Sequence, residues 1–205
     1  MKPIMALGDL RRVGVPILDT GSCVARLGVS PVRTSQILRA LEQAGLVSRL
    51  RHGLWLLEPV DPFAVPPYLA APYPAYVSLW SALSRHGMIE QIPRQVFAVT
   101  SGRPRQVKTS LGAYSLHRLA PELIDGFAGD SARGYLATPE KALFDMVYLQ
   151  SARGRGVHHP EIELPRAFDE GALDEWTGRI ARARLRTMVR RELEALLAKL
   201  PRSSD

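Results

Sequence analysis

TGSCVARLGVSPVRTSQILRALEQAGLVSRLRHGLWLL, residues 20–57, is the stretch whose reading decides the fold. Thr20 can cap a helix running to Leu27, Gly28 supplies a tight turn, and Ser30 followed by Pro31 is a strong N-cap and first-position pair for a second helix. In that helix Thr34, Ile37, Leu38 and Leu41 recur at helical spacing and bury one face, which leaves Val32, Arg33, Ser35, Gln36 and Arg39 on the other. Gly45 suits the position after a helix end. Leu46, Val47, Leu50, Leu54, Trp55, Leu56 and Leu57 then read as a hairpin around an Arg51-His52-Gly53 turn, with Arg49 and Arg51 on its surface. Helix, sharp turn, helix and basic hairpin in this order predict a winged helix-turn-helix, a module whose second helix enters the DNA major groove.

The residue types on the outward face suit base reading. An arginine fork matches guanine O6 and N7 and a glutamine amide matches adenine N6 and N7, so Arg33, Gln36 and Arg39 are the candidates for base contact. Ser30, Ser35, Arg49, Arg51 and His52 are candidates for phosphate or minor-groove contact, which sets register without reading much sequence. A winged helix used for protein contact is the competing reading, because fold does not fix function.

Bulk properties bound the rest. A chain of 205 residues with 46% hydrophobic and 23% charged residues can bury one large core or two small ones. Its net charge of +7 favours a polyanionic partner, with affinity that falls as salt rises. Residues 1–60 carry eight Lys and Arg against four acids, so the basic excess is only partly N-terminal. Cys23 is the single cysteine, which excludes an intrachain disulfide and fits a reducing compartment. No run approaches the roughly 18–20 apolar residues of a membrane span, and the N-terminus lacks an apolar signal core. The expected location is the cytoplasm, with no membrane partner.

Six prolines, Pro59, Pro62, Pro66, Pro67, Pro72 and Pro74, mark a boundary. They predict an extended connector over 59–74, packed along its neighbours through Phe63, Tyr68, Leu69 and Tyr73, between a DNA-binding unit at 1–58 and a second unit at 75–205. In the second unit, Val77, Leu79, Trp80 and Leu83 predict a helix over Ala75 to His86, ended by Gly87. Extended runs at Gln95–Thr100 and about Ser110–Leu119 predict a small antiparallel sheet. Thr138-Pro139-Glu140 opens another helix, and residues from about Glu170 to Leu200 predict two helices or one bent helix. The expected class is α+β: a winged helix-turn-helix followed by a mixed α/β unit with terminal helices.

Three phrases resemble a known family, the AbiEi-type antitoxins of type IV toxin-antitoxin systems, associated with abortive phage infection. They are Arg49-Leu50-Arg51-His52-Gly53-Leu54-Trp55; Ser78-Leu79-Trp80-Ser81-Ala82-Leu83 with His86-Gly87 and Gln91-Ile92-Pro93; and Thr138-Pro139-Glu140-Lys141-Ala142-Leu143-Phe144-Asp145. Together they span roughly residues 20–150, and the residues after about Gln150 carry no part of the resemblance. The resemblance implies an N-terminal winged helix that represses the shared promoter, and the expected partner is double-stranded DNA of that promoter, bound at repeated half-sites. It also implies a C-terminal unit needed to neutralise a neighbouring nucleotidyltransferase-like toxin.

The remaining notable residues have plainer readings. His158 and His159, with His52, His86 and His117 elsewhere, lack Cys or carboxylates at zinc spacing, so no metal is expected. Glu140 reads as a first-turn partner of the helix dipole and Asp145 as an exposed or hydrogen-bonded residue. Cys23 reads as core. Arg153-Gly154-Arg155-Gly156 lacks the strand-to-helix setting of a phosphate loop, so no cofactor is expected. The last helical region is basic, and Arg179, Arg182, Arg186 and Arg190 form a candidate second cationic surface for DNA phosphates or an acidic partner. The expected function is non-enzymatic: a DNA-binding antitoxin. A winged-helix transcription regulator with a ligand- or partner-sensing second unit and no toxin is the alternative.

Overall fold

The computed structural model describes residues 2–154 and 161–202. The N-terminal elements are α1 (Pro3–Arg11), β1 (Ile17–Asp19), α2 (Thr20–Leu27), α3 (Pro31–Gln43), β2 (Ser48–Arg51) and β3 (Leu54–Leu56). β3 lies between β1 and β2 in a three-stranded antiparallel sheet. Asp19, not Thr20, caps α2: its carboxylate accepts from the Ser22 amide at 2.9 Å and so places a negative charge at the positive helix end. Thr20 is instead the first helical residue, and its hydroxyl accepts the Trp55 indole N–H at 3.1 Å. Ser30 caps α3 as expected, accepting from the Arg33 amide at 3.3 Å. α3 closes at Gly45 (φ +69°), where the Leu46 amide donates to the Leu41 carbonyl and the Gly45 amide to the Glu42 carbonyl. The hairpin turn is one residue shorter than expected, since Arg51 pairs with Leu54 as a strand residue and only His52 and Gly53 form the turn.

The proline-rich connector is not extended. It holds a 3₁₀ turn, Pro62–Ala64, and a short helix, α4 (Pro66–Ala70), with prolines in first-turn positions where a missing N–H costs nothing. Ala64, Val65, Leu69 and Ala70 are buried; of the four residues expected to pack, Leu69 is buried, Phe63 and Tyr68 are half-buried, and Tyr73 is exposed.

Beyond it come β4 (Ala75–Val77), α5 (Leu79–Arg85), β5 (Val96–Thr100), β6 (Arg105–Thr109), β7 (Gly112–Arg118), a 3₁₀ turn at Pro121–Leu123, β8 (Phe127–Asp130) and β9 (Gly134–Ala137). Three helices follow: α6 (Pro139–Ala152), α7 (Glu170–Gly178) and α8 (Ala183–Leu197). Two expectations are corrected here. The sheet has six strands in the order β6-β7-β5-β4-β9-β8, and it is mixed, with β5–β7 and β4–β9 parallel. The helix expected from Ala75 starts only at Leu79, because Ala75–Val77 is a sheet strand paired to β5 and β9. The chain is thus α+β, with eight α-helices and two sheets among the described residues.

Both faces of the large sheet are covered. Tyr76 and Val99 point into a core shared with α5, α6, α7 and α8, whereas their neighbours Ala75 and Ala98 point to the opposite face with Tyr114 and Leu116. That second face packs on α4 and on Ile17, Leu50 and Leu56 of the N-terminal sheet. The Ser110 amide adds a hydrogen bond to the Leu50 carbonyl at 3.0 Å. The N-terminal sheet and the large sheet therefore share a core.

Inside the larger core sits a buried charge pair. The Lys141 ammonium donates to the Asp145 carboxylate, which also accepts from the Ser78 hydroxyl at 2.7 Å and the Tyr76 hydroxyl at 3.0 Å. Lys141 is further caged by the rings of Phe144, Trp176 and Tyr76 at 4.9, 5.4 and 5.8 Å. Burial pushes the Asp145 carboxyl up, while Lys141 and the two hydroxyls oppose that shift. The pair locks α6 onto β4.

Breaking this pair should be costly. Lys141→Ala should lose about 3–5 kcal/mol in urea unfolding, because the Asp145 carboxylate is left buried without its counter-charge. A combined Lys141→Met and Asp145→Leu chain should be more stable than Lys141→Ala; a wild-type midpoint for Lys141→Ala would show that the pair holds nothing.

His117 supplies a pH test. Its ring contacts the Ser115 hydroxyl at 3.0 Å and accepts from the Arg153 guanidinium at 3.0 Å, and burial, then the Arg153 charge, lowers its pKa below 6.5. The unfolded chain therefore takes up this proton before the folded one does. The neutral ring contributes its stability in full above pH 6.5, and the contribution drains away as pH falls from there toward the lower folded value. NMR titration should give a His117 midpoint under 6.5, and a midpoint above that value would reverse the sign.

Candidate nucleic-acid interface

Packing fixes which face of α3 looks outward. Thr34, Ile37, Leu38 and Leu41 are buried with Cys23 of α2, Leu7 and Leu10 of α1, and Val47 and Trp55 of the hairpin. Arg33, Gln36 and Arg39 are exposed on the other side, and Ser35 is half-buried beside them. The Arg33 guanidinium donates to the Gln36 side-chain oxygen at 3.2 Å, which couples the two side chains and leaves the Gln36 amide donors unused by that bond. Among the described residues neither Arg33 nor Arg39 is in an ion pair. Val32, 70% exposed in the first turn, adds an apolar methyl surface to the same face. Its exposure was legible from helical phase, but an isolated outward valine carries no sequence signal of a role.

The hairpin residues divide. Arg49 leans back on the body: its guanidinium meets the Glu42 carboxylate at 3.4 Å and lies 4.7 Å from the Trp55 ring centre. Arg51 is half-buried at the end of β2, and His52 is exposed in the turn. The turn is in turn tied to α2, since the Thr20 amide donates to the Gly53 carbonyl at 2.9 Å. Helix and hairpin are thus held at a set spacing by Thr20, Trp55, Arg49 and Glu42. Neither Thr20 nor Glu42 was a candidate from the sequence, because their partners lie too far along the chain for a local pattern to show.

The second basic set is less uniform than its sequence suggests. Arg179 is neutralised by Asp125 and by Glu175 at 3.7 Å, and Arg186 donates to the Ile180 carbonyl at 3.3 Å. Arg182 and Arg190 are exposed. His158 and His159, and the Arg155-Gly156 half of the Arg-Gly stretch, lie outside the described residues. Among the described residues no group of three His, Cys, Asp or Glu is arranged to hold a metal ion, and no helix is long and apolar enough to cross a membrane.

Thr34 stands out on the inner face. Its hydroxyl is buried with no hydrogen-bond partner, in a helix whose other inward residues are aliphatic. Thr34→Val keeps the β-branched shape and removes the orphaned hydroxyl, so it should raise stability by about 1 kcal/mol in thermal or urea unfolding. A loss of stability would mean that the hydroxyl has a partner. No protein-family model matches the chain, and no curated protein matches it significantly.

Proposed function

We propose that residues 3–57 form a winged helix-turn-helix that seats α3 in the major groove of double-stranded DNA, with the β2–β3 hairpin as its wing. The observation that carries this reading is the outward face of α3, where Arg33, Gln36 and Arg39 stand exposed without an acidic partner among the described residues. An unpaired arginine pays no salt-bridge penalty on meeting guanine, and the Arg33–Gln36 bond reduces the rotamer freedom lost on binding. Val32 meets a thymine methyl in the same groove. Arg51 and His52 reach phosphates or the flanking minor groove, while Ser30 and Ser35 sit at the backbone near the helix start. Arg49 acts chiefly by positioning the wing, since Glu42 and Trp55 already engage it.

The finer reading takes its support from the three phrases that resemble AbiEi-type antitoxins. On it, the protein binds its own promoter in the cytoplasm and counteracts a nucleotidyltransferase-like toxin, acting by binding and not by catalysis. Two of the three charged residues of the third phrase, Lys141 and Asp145, build the buried pair of the larger unit. The shared core argues that both units act as one body on DNA.

Selection of operator sequences with the full chain, followed by fluorescence anisotropy across a salt series, tests this reading. Arg39→Ala should cost roughly 1–3 kcal/mol and relax preference at one base position, whereas Arg51→Ala should weaken all sequences alike and flatten the salt slope. No binding to selected duplexes at low salt would sink the DNA reading. Co-expression with an adjacent nucleotidyltransferase gene tests the antitoxin reading separately, and unrelieved toxicity would count against it.

A further inference from the structure

An open cleft of about 750 Å³, lined by no residue of α3, lies between the end of β7 with the 3₁₀ turn that follows it, the C-terminal half of α6, and the start of α8. Leu119, Leu149, Ile180, Leu185 and Met188 give it apolar walls. Arg118, Arg182 and Arg184 border the same space, with the acid Glu122 among them. None of these arginines is in an ion pair among the described residues, in contrast to Arg179 close by in the sequence, which has two. Cations left unpaired around one concavity repel each other and raise its positive potential.

Two further groups face the same need. The N-terminus of α8 has no side-chain cap, because Arg182 occupies the cap position and has no acceptor to offer the first-turn amides. Ser151, which lines the cleft from α6, is 4% exposed, and its hydroxyl has no hydrogen-bond partner. Tyr148 on the same wall has its phenol pushed up by burial first, then by the Glu122 charge, with Arg182 acting in the opposite direction. Acid, arginine and phenol thus lie within electrostatic range of one another. Donors, a buried hydroxyl and apolar walls converge here, with a volume inside the usual range for small-ligand sites.

We propose that this cleft binds a small organic anion: one carboxylate or phosphate head held by Arg182, Arg184 and the α8 amides, and an apolar body laid against Leu185 and Met188. Glu122 selects against a second negative group beside the first. A bare inorganic anion leaves the apolar walls uncovered and gains only the polar half of the interaction. The site is independent of the DNA reading, and it gives the larger unit a ligand of its own.

The test uses the full chain and 8-anilinonaphthalene-1-sulfonate, an anionic head on an aromatic body whose fluorescence rises on binding. Saturable binding is expected, displaced by octanoate or by phenyl phosphate, with the stronger of the two identifying the head group, and displaced poorly by octanol or inorganic phosphate. Arg182→Gln with Arg184→Gln should weaken the probe about tenfold or more with an unchanged Tm, as loss of charge-assisted hydrogen bonds requires. Octanol competing as well as octanoate, probe affinity unmoved by the arginine changes, or no saturable binding would each overturn the proposal.

Discussion

A lysine and an aspartate with no exposed surface hold the larger unit together, and most of its architecture follows from how they are satisfied. A charge pair out of water is stable only if every remaining lone pair and proton has a partner, so the chain must bring donors to it from elsewhere. Tyr76 and Ser78 do so from either side of the end of β4, and aromatic rings from α6 and α7 surround the ammonium. These bonds fix where β4 ends and α5 begins. Leu79, the first residue of α5, has φ +55°, a left-handed conformation costly for a branched side chain, and it is held there with Ser78 bound on one side and its own side chain buried on the other. The strain is local; the constraint that tolerates it is not.

The same sheet transmits that order to the N-terminal elements. Its second face does not end in solvent but meets Leu50 and Leu56 of the hairpin through Tyr114 and Leu116, while α4 fills the remaining space with Leu69. A hairpin joined to a helical pair by its own turn alone would be free to tilt. Here it is clamped twice, once by the large sheet and once by the Thr20–Trp55 and Arg49–Glu42 contacts to α2 and α3. The angle between α3 and the larger unit is therefore a property of packed side chains, not of a linker. Cutting the chain near Pro66 would divide one core rather than separate two.

What was legible in the sequence was what neighbours in the chain decide. Ser30-Pro31 and Thr138-Pro139 announce helix starts because a cap needs only the next three residues, and Gly45 announces an end for the same reason. β4 was misread because a strand covered on both faces loses the alternation that reveals strands, so Ala75-Tyr76-Val77 joins the helical spacing after it. β1 is three residues long, too short for any period. The prolines of α4 look like breakers but occupy the one turn of a helix that accepts them. Asp145 was open between exposed and hydrogen-bonded; its Tyr76 and Ser78 partners lie 69 and 67 residues away, beyond the reach of spacing rules.

Charge counting failed for a related reason. A sum of Lys and Arg over a helix treats each cation as equally available, yet availability is settled by what folds against it. Arg49 is committed to Glu42 and Trp55, Arg179 to Asp125 and Glu175, and Arg186 to a backbone carbonyl, so each would have to exchange an existing contact for a new one. Among the described residues Arg33, Arg39, Arg118, Arg182 and Arg184 have no acidic partner to release. Binding an anion displaces only water and counterions from them, as it does from Arg51 and Arg190, which also lack an ion pair among the described residues. Arg33 and Arg39 lie on the outer face of α3, and Arg118, Arg182 and Arg184 border the cleft beside α8. The first is a convex helix face edged by a hairpin and suits an extended groove; the second is concave with apolar walls and suits a small molecule. Shape, more than charge, distinguishes the two sets of arginines.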